Sequence, residues 1–276
     1  MYREGIDFVI ISHCKPSYAK MAVKSIHKYV NGIDYGIYIV NNYVDEDKER
    51  KELEDIFEGD DKITILKGAD QSETSVIGRN GTFRQNGNIV FKGKIDGCEV
   101  AFGSKYGELG YAVGMKAGKR KYVCCMDQDK YLFISNRWDP GTLFKEAKNP
   151  LPRLGMARPM FWLMKRNMME EHNLYPNCDY RDIWGNITYF AQQNDYDFYI
   201  CKNSYWDKNK RIAYKIHKRY VSDWHMSSKE HVIDIVDVEQ AWINDKPFFL
   251  HQTRGAYKPE SALVEWLEKT NRYLNE

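Results

Sequence analysis

Short apolar runs alternate with amphipathic stretches through the first half of the chain. Phe8 to Ile11 is a run of four apolar residues ending at Ser12 and His13, which predicts a buried strand. Pro16 and Ser17 then open a helix whose apolar stripe is Ala22, Val23, Ile26, Tyr29 and Val30; Asn31-Gly32 stops it. Ile37 to Val40 predicts a second strand, ending at Asn41-Asn42. The charged segment after it has Leu53, Ile56 and Phe57 as its stripe, the pattern of a surface helix. Ile63 to Leu66 is a third strand. This alternation predicts a parallel sheet with crossover helices.

The segment from Ser75 to Gly97 interrupts the pattern. Asn86-Gly87 lies between Thr82-Phe83-Arg84 and Ile89-Val90-Phe91, which predicts a small β-hairpin insertion carrying Arg79, Arg84, Lys92 and Lys94. Gly103 to Gly118 is a Gly- and Ala-rich helix with Leu109, Ala112, Val113 and Ala117 as its expected face. Glycines cost helix stability, so several together imply close packing on the sheet or on a ligand. Tyr122 to Met126 is the next buried strand, and it runs out at Asp127-Gln128-Asp129. Beyond Tyr131 the pattern loosens. Leu154 to Leu163 reads as extended, Lys165 to His172 as helical, and Asp179 to Gln193 as a helix. Asp195 to Cys201 and Phe248 to Leu250 read as strands, and a last helix opens at Pro259 with Leu263, Trp266, Leu267 and Leu274 inward. No repeat or low-complexity linker divides the chain. One compact domain spanning 1–276 is expected, with functional halves at 1–130 and 131–276.

Composition narrows the function classes. A chain of 276 residues can bury a large core. A formal net charge of +2 gives no global field that demands nucleic acid or a membrane. The 6 Cys form no C-x-x-C pair, which favours reduced, buried thiols over zinc. With polar first residues and no long apolar run, the expectation is a soluble cytoplasmic protein.

The chemistry centres on Asp127 and Asp129. Ligands of open α/β sheets bind outside the carboxyl ends of the strands. Paired carboxylates there suit a hard divalent cation, which commonly keeps phosphate oxygens among its ligands. A polar turn is the plainer explanation of the same residues.

The order of these pieces, from Phe8-Val9-Ile10-Ile11-Ser12 through Tyr38-Ile39-Val40-Asn41-Asn42 to Asp127-Gln128-Asp129, resembles the GT-A glycosyltransferases, especially the inverting family 2 group. The resemblance implies a Rossmann-like, mixed but mostly parallel sheet flanked by helices. It implies a UDP-sugar donor with Mn²⁺ or Mg²⁺, held at the strand ends by Ser12, Asn41, Asn42 and Asp127. Asp129 would be the direct metal ligand, and Asp127 would hold ribose or a water-mediated metal contact. A metal-binding histidine near the C-terminus is implied at His251, with His225 second. Arg254 and Lys258 lie close enough in sequence to reach a diphosphate. An inverting transfer needs a base at the acceptor hydroxyl; Asp182 stands at the family position, with Asp179 as the alternative. The resemblance departs at Asn41-Asn42, where many relatives are acidic, and at the 75–97 insertion.

The acceptor is expected to be a saccharide or glycoconjugate. The basic, aromatic stretch from Lys202 to Trp224 supports a second reading, a DNA glycosyltransferase acting on hydroxymethylated pyrimidines flipped from the duplex. A third is a non-catalytic nucleic-acid-binding module whose affinity falls steeply with salt.

Overall fold

The computed structural model describes residues 1–12, 15–41, 46–68, 77–78, 81–82, 91–95, 98–102, 105–128, 130–132, 161–175, 190, 194, 202–206, 212–214, 233, 235, 238–243, 246–252, 255 and 258–275. They form two compact units that interleave along the chain. Unit 1 comprises 1–16, 34–127 and 156–194; unit 2 comprises 17–33, 128–155 and 195–276.

Unit 1 is built on a five-stranded sheet. Its strands are β1 (Arg3–Ser12), β2 (Tyr35–Asn41), β3 (Ile63–Lys67), β8 (Arg120–Asp127) and β10 (Phe161–Lys165), in the order β10-β8-β1-β2-β3. Strands β8, β1, β2 and β3 are parallel, and β10 is antiparallel to β8. The parallel sheet expected from the apolar runs is therefore present, and it is mixed but mostly parallel as the resemblance implied. Ile6, Phe8, Val9 and Ile10 of β1 are all fully buried. Both faces of this strand are covered, which is why it reads as an unbroken apolar run and not as an alternation. Three helices flank the sheet: α2 (Glu46–Ile56), α3 (Lys105–Ala117) and α4 (Arg166–Glu171). Helix α3 packs on β1 and β2, α2 on β2, and α4 on β8 and β10.

The buried face of α3 differs from the expected one. Tyr111, Gly114, Met115 and Gly118 are buried, whereas Ala112, Val113 and Ala117 are only partly so. The reason is geometric. A Cβ at Gly114 would run into the Val9 side chain and lie 3.1 Å from that of Val40, so the helix approaches the sheet through its glycines. A ranking of apolar residues passes over such a face.

The amino end of this sheet holds a buried charge cluster. Asp7 is fully buried and accepts hydrogen bonds from Arg120 Nη1 (2.8 Å), Arg166 Nη2 (2.7 Å) and the Arg120 backbone N–H (2.7 Å). Arg166 Nε also donates to the Arg120 carbonyl at 2.7 Å, and Arg166 Nη1 to that of Met115. Arg120 Nε reaches Asp34 at 2.7 Å. That hydrogen bond holds the Asp34 carboxyl below its ordinary value of 3.8. Two thiols on β8, Cys124 and Cys125, are free and buried, and burial pushes both well up, away from reactive thiolate.

Among the described residues, two antiparallel ribbons lie in and just after the insertion: β4 (Ile77–Gly78) with β5 (Gly81–Thr82), and β6 (Phe91–Ile95) with β7 (Cys98–Phe102). The predicted turn at Asn86-Gly87 lies outside the described residues. Thr82 pairs with Ile77 and Phe91 with Phe102. The two residues between β6 and β7 are Asp96-Gly97, an equally strong hairpin signal.

Unit 2 carries an antiparallel sheet in the order β12-β11-β13-β14-β9. Its strands are β9 (Lys130–Leu132), β11 (Lys202–Trp206), β12 (Ile212–Tyr214), β13 (Val238–Ile243) and β14 (Lys246–Gln252). Helices α1 (Pro16–Tyr29) and α5 (Glu260–Asn275) complete it. The core joins Tyr18 and Met21 of α1, Val238 and Leu250 of the sheet, Ile233 and Ile235, and Leu263 and Trp266 of α5. The Tyr18 hydroxyl donates to Gln252 Oε1, and Gln252 Nε2 donates to the Ala262 carbonyl at 3.2 Å, tying both helices to the end of β14. Among the described residues no helix is long and apolar enough to cross a membrane.

Candidate functional site

The carboxyl edge of the unit 1 sheet is where a doubly wound fold places its ligand. Strand register sets the residues along it. Asp127 of β8 pairs with Ile11 of β1, Ser12 with Asn41 of β2, and Asn41 with Lys67 of β3. Paired residues share a face and successive residues alternate. Asp127 therefore lies on the face of Val9 and Val40, which α3 covers, and Ser12 and Asn41 lie on the other. All three stand at one edge, and their exposure differs. Asp127 is half-buried, while Ser12 and Asn41 are 0% and 2% exposed.

Asp127 is held by a residue that apolar patterning did not single out. The hydroxyl of Tyr111, itself only 2% exposed, donates to Asp127 Oδ1 at 2.6 Å. Helix α3 runs back across the sheet before β8. Gly118 lies against Asp7 near the amino end of β1, Gly114 lies against Val9, and Tyr111 reaches the last residue of β8. The spacing 111–114–118 keeps these three on one helix face. A tyrosine one turn before a glycine stripe, on the helix that feeds the acidic strand end, was the available signal.

In unit 2 the backbone register pairs His251 with Lys130, the residue after Asp129, and with Glu239 on the other side. His251 is 4% exposed and Glu239 fully buried, with His251 Nδ1 3.4 Å from Glu239 Oε2. A carboxylate at Nδ1 favours the tautomer with its proton there, leaving Nε2 as the ring's lone-pair donor. Glu239 was not picked out by the sequence, because nothing in Val238-Glu239-Gln240-Ala241 alternates. Lys258 follows Gly255 in a turn before α5, its backbone N–H donating to the Gly255 carbonyl at 3.1 Å. Asn42, Asp129, Asp179, Asp182, His225 and Arg254 lie outside the described residues. Among the described residues no three His, Cys, Asp or Glu side chains gather into a metal cage.

No family model and no curated protein matches the sequence. Among solved structures, S. aureus TarS 1-349 is similar at a TM-score of 0.42 and 9% identity, covering 68% of this chain and 55% of that one. The same fragment in complex with UDP-GlcNAc gives a TM-score of 0.36 and 10% identity, covering 63% and 48%. This chain spans about half the length of those structures. Likeness at this level carries nothing about ligand or reaction.

Proposed function

We propose that the protein is a metal-dependent glycosyltransferase that moves a sugar from a UDP-sugar to an acceptor hydroxyl of a saccharide or glycoconjugate. The observation that carries this reading is an acidic strand end. Asp127 closes β8 beside the last residues of β1 and β2, half-exposed and hydrogen-bonded to Tyr111. Carboxylates at that edge suit the polar groups of a nucleotide.

In this reading Asp127 binds the ribose, and Ser12, Asn41 and Asn42 form the floor of the donor site. Asp129 and His251 hold the ion, and Arg254 and Lys258 serve the diphosphate. Bound Mn²⁺ or Mg²⁺ supplies neutralising charge for the departing nucleoside diphosphate. Asp182, with Asp179 as the alternative, takes the proton of the acceptor hydroxyl as the new glycosidic bond forms. Residues 1–130 serve the donor and 131–276 the acceptor, within one functional domain.

The test is a panel of nucleotide-sugars with Mn²⁺ and candidate acceptors, scored by nucleotide release. UDP-sugars are expected to release UDP, and Asp129→Ala to abolish release with an unchanged circular-dichroism spectrum. No release from any donor overturns the reading. Release stimulated by hydroxymethylated DNA and not by oligosaccharides would replace the acceptor assigned here.

A further inference from the structure

We propose that Tyr111 is the positioning residue of the donor site: its hydroxyl fixes the Asp127 carboxylate, and the affinity for a nucleoside diphosphate depends on that bond. This rests on the donor-site reading above.

The bond between Tyr111 and Asp127 Oδ1, at 2.6 Å, falls in the short, charge-assisted class for a hydroxyl on a carboxylate. A phenol has one donor proton, directed close to the plane of its ring. A buried ring therefore limits where that proton points and anchors the Oδ1 oxygen. Asp127 closes its strand and is half-buried. An aspartate at a strand end has rotamers to choose from, and each one lost before binding is entropy that the ligand need not remove. A carboxylate offers roughly four lone-pair positions, more than one hydroxyl can occupy.

The helix is built to deliver this group. Gly114 brings α3 against Val9, and Gly118 brings its end against Asp7 and Arg166. Tyr111, one turn earlier, is placed by these approaches and not by loop geometry. A buried tyrosine hydroxyl needs an acceptor in any protein. If that need were the whole role, removing the hydroxyl would leave ligand binding untouched.

The experiment is calorimetric titration of UDP, in Mn²⁺ buffer, into wild type, Tyr111→Phe, Asp127→Asn and the double variant, with thermal melts of all four. Tyr111→Phe is expected to weaken UDP roughly tenfold, the scale of a hydrogen bond to a charged group. It is expected to melt within a few degrees of wild type. The double variant is expected to bind no more weakly than Asp127→Asn alone, because the hydroxyl acts through that carboxylate. Wild-type affinity in Tyr111→Phe overturns the role of Tyr111 while the donor site stands; so do losses that multiply in the double variant. A wild type that takes up no UDP overturns the donor-site reading, and this role with it.

Discussion

Asp7 lies in β1 just before its apolar run, with none of its surface exposed, and Arg120 and Arg166 are what make it tolerable there. Burying a lone carboxylate is costly; a carboxylate with three donors on its two oxygens is not orphaned. Removing one partner is then worse than never having had the pair. Arg166→Met is expected to lose about 3–5 kcal/mol of folding stability, read as a lower urea midpoint with an unchanged slope. Arg166 also donates to the carbonyls of Met115 and Arg120, so methionine strands those acceptors as well. A loss below about 1 kcal/mol would show that water replaces the guanidinium. None of this was legible in sequence, because Asp7 and Arg166 are 159 positions apart and neither has a local signature.

At the level of elements, the parallel sheet was legible, and of the antiparallel one only β14 was, as the Phe248–Leu250 run. Strands covered on both faces announce themselves as short apolar runs, as Phe8–Ile11 and Tyr122–Met126 do. Strands β11 and β13 mix Lys202, Asn203, Glu239 and Gln240 with aromatics. Their pairing comes from distant partners, which no local period encodes. The same division runs through the candidate site. Asp127 was legible because it ends an apolar run, but its partner Tyr111 was hidden behind a helix face made of glycine. That face makes its own prediction. Gly114→Ala adds a methyl against the stiff, buried Val9 side chain. Overpacking costs roughly 1–3 kcal/mol, while alanine returns about 1 kcal/mol of helix propensity. Because the added methyl would run into the Val9 side chain, overpacking wins, and a net loss of up to about 2 kcal/mol is expected in chemical denaturation. UDP affinity should fall too, as α3 lifts and carries Tyr111 with it.

For the whole molecule, 41 basic and 39 acidic side chains nearly cancel at pH 7; that balance is lost in acid as the carboxylates protonate, and carboxylates that the fold holds ionised add to the cost. Asp34 is one of them. Its folded value lies below 3.8 through the Arg120 hydrogen bond. The unfolded chain thus binds the proton more readily, and the contribution is present above that pH. It is lost as pH falls from about 4 through the lower folded value. Asp34→Asn is expected to flatten this part of a melting-temperature curve recorded between pH about 5 and about 2. Equal slopes in variant and wild type would remove Asp34 from acid unfolding. The Asp7 cluster also has a consequence for biosynthesis. The first strand leaves the ribosome carrying a charge whose second arginine follows 159 residues later, a delay of roughly 8–30 s at about 5–20 residues per second. Until then the nascent amino-terminal segment cannot lock into its final sheet, and a product cut short before Arg166 would carry a frustrated, chaperone-seeking strand.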